Sequence, residues 1–106
     1  MHQPVLLKEV LELLCVKQGG VYVDGTVGSG GHALALLEKI GRTGRLLAID
    51  RDEEALNRSQ ARLSGWKEQC LWAHGNYGEI REIAGRQGIE RVDGVVLDLG
   101  VSMEHL

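Results

Sequence analysis

Apolar and polar residues follow two alternating periods along this chain, one typical of helices and one of buried strands. Apolar residues at a spacing of three or four predict four amphipathic helices, and glycines follow three of them. The predicted helices cover residues 5 to 14, 31 to 40, 52 to 63 and 77 to 86, and the glycines that end the first, second and fourth are Gly19-Gly20, Gly41 with Gly44, and Gly88.

Between these helices lie short apolar runs that predict four strands. The runs cover residues 21 to 24, 45 to 50, 70 to 74 and 92 to 99. Strands that alternate with helices form parallel sheets with right-handed crossovers, so we expect an α/β fold of the doubly wound, Rossmann-like type. From Gly100 to Leu106 we predict no further helix or strand. The fourth strand would then keep one apolar edge unpaired, which predicts that the chain forms a homodimer or aggregates through that edge.

The composition is that of one ordinary globular domain. The chain has 106 residues, 43% of them hydrophobic and 25% charged, and it contains no Phe, which predicts an aliphatic core. We expect a cytoplasmic protein, because no apolar run has membrane-spanning length and the amino terminus does not resemble a signal peptide. A formal net charge of −3 predicts no broad phosphate-binding surface in this part of the protein. Cys15 and Cys70 show no metal or redox spacing and are predicted to be buried free thiols.

The first strand is followed by a glycine-rich turn that opens a helix. Gly28, Gly30 and Gly31 can adopt positive φ and let a ligand approach the backbone, while the amide groups at the start of the helix point toward an anion. Residues 28 to 33 also fit the glycine pattern of nicotinamide and flavin proteins. This pattern indicates a nucleotide-like ligand and does not by itself identify it.

Asp24 favours S-adenosylmethionine over a dinucleotide. It ends the first strand four residues before Gly28, whereas dinucleotide-binding folds usually enter their glycines almost directly. A carboxylate at this position would attract the amino group of a methionine moiety and repel a pyrophosphate.

A second acid, Asp50, ends the second strand about 20 residues after the glycines. Carboxylates at this position accept hydrogen bonds from ribose hydroxyls, and both cofactor types require one. Asp50 therefore predicts a nucleoside pocket without choosing between them. The alternative is that Asp50 only caps the following helix, for which Asp52 is the better candidate.

Four segments, in this order and at this spacing, resemble the amino-terminal portion of the bacterial small-subunit ribosomal RNA methyltransferase H family. They are residues 2 to 10, Tyr22 to His32, Gly44 to Asp52 and Val92 to Ser102. The resemblance extends over essentially the whole chain. It implies that residues 1 to 106 form the cofactor-binding half of a class I S-adenosylmethionine-dependent methyltransferase domain. It also implies that the methyltransferase acts on the N4 amino group of a cytidine in small-subunit ribosomal RNA.

By position, the resemblance implies that Gly30, Gly31 and His32 line the cofactor site. Asp50 would hold the ribose, Tyr77 would lie against the ligand where the family usually has Phe, and Asp98 would close the pocket. Tyr77 could instead pack on the sheet, and His32 could be only a helix-face residue.

Asp98 is the candidate catalytic residue, since a carboxylate there could accept a hydrogen bond from the cytosine amino group. It could equally serve only to organise the cofactor pocket.

The chain departs from the family pattern near its end. His105 stands in place of a glutamine that the family uses near the cofactor, and the later strands and the inserted region that would recognise RNA are absent. Two alternatives to the methyltransferase therefore stay open: a cofactor-binding module without turnover, and a segment of an NAD-dependent oxidoreductase.

Overall fold

The computed structural model describes residues 16–25, 31–97 and 100–102. The first predicted helix, with Cys15, lies outside the described residues. So do most of the glycine-rich turn and the segments around Asp98 and His105.

Strands and helices alternate along the chain, as the hydrophobic periods predict. The elements are β1 (Val21–Asp24), α1 (Gly31–Ile40), β2 (Arg45–Asp50), α2 (Glu53–Arg62), β3 (Cys70–His74), α3 (Ile80–Arg86), β4 (Gly94–Leu97) and β5 (Gly100–Ser102). Two 3₁₀ turns, Ser64–Trp66 and Tyr77–Glu79, precede β3 and α3. Gly41, with φ of 79°, follows the last residue of α1, which confirms the predicted helix end.

The strands form one sheet in the order β3-β2-β1-β4-β5, and β1 to β4 are parallel. The chain moves outward from β1 to β3 and then returns to the other side of β1 with β4. This reversal of direction is the switch point at which doubly wound sheets bind ligands. The predicted fold class is therefore confirmed.

The prediction that no strand follows the fourth one is wrong. β5 pairs antiparallel with β4, with Val95 opposite Ser102 and Leu97 opposite Gly100. β5 lies along the edge of β4 that the homodimer prediction assumes to be exposed. That premise fails for the described residues, because β5 already occupies the outer edge of β4.

Other boundaries also differ from the sequence-based ones; α2 covers Glu53–Arg62 rather than 52 to 63. The fourth strand begins at Gly94 rather than Val92, because the carboxylate of Asp93 accepts a hydrogen bond from the Val21 amide at 2.8 Å in place of a ladder carbonyl. The last helix was predicted from residue 77, but its first turn is the 3₁₀ turn Tyr77–Glu79.

Helices cover both faces of the sheet. Apolar residues of α1 and α2 pack with Tyr22, Leu46 and Ala48 on one face, and those of α3 pack with Val23 and Leu47 on the other. Among the described residues, the buried core is aliphatic apart from Tyr22 and Cys70. The hydroxyl of Tyr22 accepts a hydrogen bond from the Lys17 amide at 3.0 Å.

Cys70 is a buried free thiol, as predicted, and burial raises its pKa to about 11. Among the described helices, none is both long and apolar enough to cross a bilayer.

Candidate functional site

Three of the four parallel strands end in polar residues at one edge of the sheet. β1 ends at Asp24, β2 at Asp50 and β3 at His74. The register places Asp24 opposite Ala48 and Asp50 opposite His74, so Asp50 projects two residues beyond the end of β1. This staggered edge lies at the switch point of the sheet and is the candidate site.

Asp50 is partly exposed and is held by two backbone groups. Its Oδ1 accepts a hydrogen bond from the Asp52 amide at 2.9 Å, and its carbonyl accepts one from the Gly75 amide at 3.0 Å. The N-cap of α2 is Asp52, whose carboxylate accepts the Glu54 amide at 3.0 Å. The alternative that Asp50 itself caps the helix is therefore wrong, and Asp50 stays a candidate for ribose binding.

Asp24, the second predicted acid, is completely buried, with 0% of its surface exposed. A carboxylate with no exposed surface cannot touch a ligand in this conformation. Contact with an amino group would require movement of the side chain or of the residues around it. Its role in ligand binding stays a prediction.

Tyr77 opens a turn that its neighbours fix at both ends. The Asn76 Oδ1 accepts a hydrogen bond from the Gly78 amide at 2.8 Å, and the Glu79 Oε1 accepts one from the Asn76 amide at 3.1 Å. This reciprocal arrangement is a capping box that begins directly after β3. It places the backbone of Tyr77 beside the carboxyl edge, although the Tyr77 side chain lies outside the described part.

The other predicted site residues fall wholly or partly outside the described residues. Gly31 and His32 are the first two residues of α1, so the helix does start at the glycine-rich turn, and the side chain of His32 is not described. The remaining four are Gly28, Gly30, Asp98 and His105, of which the structure describes nothing.

His74 belongs to this edge and was missed by the sequence reasoning. It is exposed, and its Nε2 lies 2.9 Å from the carbonyl oxygen of Arg51, in the loop that follows Asp50. No local pattern signals such a contact, because its partners are 23 residues apart. By contrast, the sequence Asn76-Tyr77-Gly78-Glu79 is a capping-box signature that could have been recognised.

Comparison with solved structures shows the same fold. A SAM-dependent O-methyltransferase from Thermotoga maritima superimposes with a TM-score of 0.73 at 23% identity, over 92% of this chain and 35% of that one. Fibrillarin from Aeropyrum pernix, solved with natively bound S-adenosyl-L-methionine, gives a TM-score of 0.66 at 21% identity, over 79% of this chain and 35% of that one. The sheet therefore has the Rossmann-like fold of these two structures.

Comparison of sequences is more specific. The ribosomal RNA small subunit methyltransferase H of Syntrophobacter fumaroxidans is 46% identical over 101 residues, which cover 95% of this chain and 32% of that protein. The chain thus spans about a third of the length of the curated relative. The model of the MraW methylase family matches residues 1–106. This chain belongs to the MraW methylase family.

Proposed function

We propose that this chain forms the cofactor-binding part of an S-adenosylmethionine-dependent methyltransferase that acts on small-subunit ribosomal RNA. The proposed acceptor is the N4 amino group of a cytidine. Membership of the MraW methylase family supports the proposal, as does the name of the relative that is 46% identical. A ribosomal substrate in turn supports the expected cytoplasmic location.

The observation that carries the proposal is the position of Asp50. Its carboxylate ends β2 at the switch point, is partly exposed, and is oriented by the Asp52 amide. An ionised carboxylate has about four acceptor sites, and two ribose hydroxyls are donors of the kind that such a group binds. The acceptor chemistry of Asp50 therefore fits the ribose hydroxyls in the nucleoside half of the cofactor.

The remaining predicted contacts complete this assignment. Gly28, Gly30, Gly31 and His32 would follow the methionine half, and Asp24 would supply negative charge toward its amino group. Tyr77, at the start of the capped turn, would lie against the adenosine. His105 would occupy the position of the family glutamine.

Bound S-adenosylmethionine supplies an activated methyl group on sulfur. The residues of this chain must then hold the acceptor nitrogen in line with that methyl group, an effect worth up to about 7 to 11 kcal/mol in favourable cases. Asp98 follows β4, the strand beside β1, and is our candidate to accept a hydrogen bond from the cytosine amino group. A role limited to organising the pocket is the alternative for Asp98.

Calorimetric titration with S-adenosylhomocysteine and with NADH tests the cofactor. We expect binding of S-adenosylhomocysteine alone, and a preference for NADH would refute the proposal in favour of an oxidoreductase. Asp50→Asn should weaken binding about ten- to a hundredfold, because it replaces charge-assisted hydrogen bonds to the ribose. Glu82→Gln is the matched control, since Glu82 is exposed on α3 and pairs only with Arg86, at 3.5 Å, among the described contacts.

Turnover is tested separately with small ribosomal subunits as acceptor. Methyl transfer is compared between this chain and the complete polypeptide that its gene encodes. Transfer by neither would favour a cofactor-binding module without turnover. Light scattering of the same samples measures self-association. If the chains associate through the edges of the sheet, β3 or β5 would form the contact, because these are its edge strands.

A further inference from the structure

We propose that His74 is a positioning residue for the cofactor site, which holds the carboxylate of Asp50 in place through the peptide bond between Arg51 and Asp52. The inference rests on the proposed function, because it assigns to Asp50 the ribose hydroxyls of S-adenosylmethionine. His74 itself need not touch the cofactor.

Two hydrogen bonds and one rigid peptide form the connection. The His74 Nε2 lies 2.9 Å from the Arg51 carbonyl oxygen, and the Asp52 amide nitrogen lies 2.9 Å from the Asp50 Oδ1. The Arg51 carbonyl and the Asp52 amide belong to the same planar trans peptide, in which the oxygen and the hydrogen point in opposite directions. Fixing the oxygen therefore also fixes the direction of the amide that orients Asp50.

The neighbouring backbone supports the same geometry. Asp50 is opposite His74 in the register of β2 and β3, and the Asp50 carbonyl accepts the Gly75 amide at 3.0 Å. The two peptide bonds that follow Asp50 are thus held by consecutive residues at the end of β3: Gly75 contacts the first and His74 the second. Among these contacts, the second peptide is reached by two side chains, that of Asp50 on its amide and that of His74 on its carbonyl oxygen.

The contact also defines which nitrogen of the His74 imidazole carries a proton. A carbonyl oxygen only accepts hydrogen bonds, so Nε2 must carry the proton.

Without the imidazole, the Arg51–Asp52 peptide can rotate and the Asp50 carboxylate loses its fixed direction. Such a loss should weaken binding of S-adenosylhomocysteine by about three- to tenfold, the range of one modest hydrogen bond. The loss should depend on the ribose hydroxyls. An analogue of S-adenosylhomocysteine in which hydrogen replaces both ribose hydroxyls should bind with equal affinity to the wild-type protein and to a variant without the imidazole.

The experiment measures the affinity of both ligands by calorimetry in the complete polypeptide. His74→Leu removes the donor, and His74→Gln keeps an amide donor at a similar distance from the backbone. We expect weaker binding of S-adenosylhomocysteine for His74→Leu and near wild-type binding for His74→Gln. Glu82→Ala is the surface control, and thermal unfolding verifies that each variant is folded.

The outcomes separate this inference from the proposed function. If the wild-type protein binds no S-adenosylhomocysteine, the proposed function fails. If it binds and Asp50→Asn weakens binding while His74→Leu does not, only the inference fails. An equal loss for both ligands would also overturn it, because His74 would then act elsewhere than on the ribose. In an Asp50→Asn background, His74→Leu should add no further loss.

Discussion

Gly44 lies where the end of α1, the residues before β1 and the start of β2 come together. A single methyl group at this position should destabilise the fold. A Cβ at this position would overlap Cγ2 of Ile40 and lie 2.6 Å from the carbonyl oxygen of Gly20. Neither neighbour can move freely. Ile40 is 0% exposed, and the Gly20 carbonyl accepts the Arg45 amide at 3.0 Å.

The magnitude of the effect follows from these contacts. Overpacking a well-packed site costs about 1 to 3 kcal/mol, and the lower entropy of the unfolded alanine chain offsets about 0.4 to 1 kcal/mol. We therefore expect Gly44→Ala to lower the free energy of unfolding by about 0.5 to 2.5 kcal/mol. For a domain of this size, the melting temperature should fall by roughly 2 to 20 °C.

Urea unfolding followed by circular dichroism measures the change, and Gly85→Ala is the matched control. Gly85 lies within α3, and a Cβ there would meet nothing within 4 Å. The same chemical change should stabilise the protein by about 0.5 to 1 kcal/mol at that position, because alanine favours the helix. If Gly44→Ala is as stable as the wild type, the steric reasoning is refuted. Opposite signs for the two substitutions would support it.

Two further predictions concern the turn at Tyr77 and the thiol of Cys70. Glu79→Ala removes the acceptor of the Asn76 amide and should weaken binding of S-adenosylhomocysteine about two- to fivefold by loosening the turn, whereas Glu79→Gln should not weaken it. Calorimetry measures the affinity of both variants. Equal affinities would contradict the proposed role of the turn. Cys70 has a pKa raised from 9.0 to about 11, so the unfolded thiol loses its proton first and the free energy of unfolding should fall from about pH 9 to 11. Urea unfolding across this range should show a steeper fall for the wild type than for Cys70→Ala, and parallel curves would refute the assignment.

The alternation of helices and strands could be predicted because each element shows a clear hydrophobic period. Residues 31 to 40 and 70 to 74 have the predicted boundaries, and Asp52 caps α2 as expected. In each case the signal is local. It comes from apolar spacing, from a polar residue before a helix, or from a glycine after one.

The features that were missed depend on contacts between distant parts of the chain. β5 is only three residues long and is defined by its pairing with β4, so no period could reveal it. The contact of His74 with Arg51 likewise exists only because β2 and β3 are adjacent. For the same reason, the positions of Asp24 and Asp50 could be predicted but not their exposure. Asp24 is completely buried and Asp50 is partly exposed.

The two ends of the strands differ in how they are held together, and this difference bears on how the fold can support a site. At the amino ends, Gly20 and Gly44 allow backbone segments to approach closely, and the carboxylate of Asp93 bonds directly to the Val21 amide. At the carboxyl ends, the side chains of Asp50 and His74 form hydrogen bonds with the backbone of the exposed turn at Arg51 and Asp52. Close packing at the amino ends can tolerate little change, whereas the turns can adjust to a ligand. Substitutions at Gly44 should therefore change stability with little effect on ligand affinity in the folded protein, and substitutions at His74 should do the reverse.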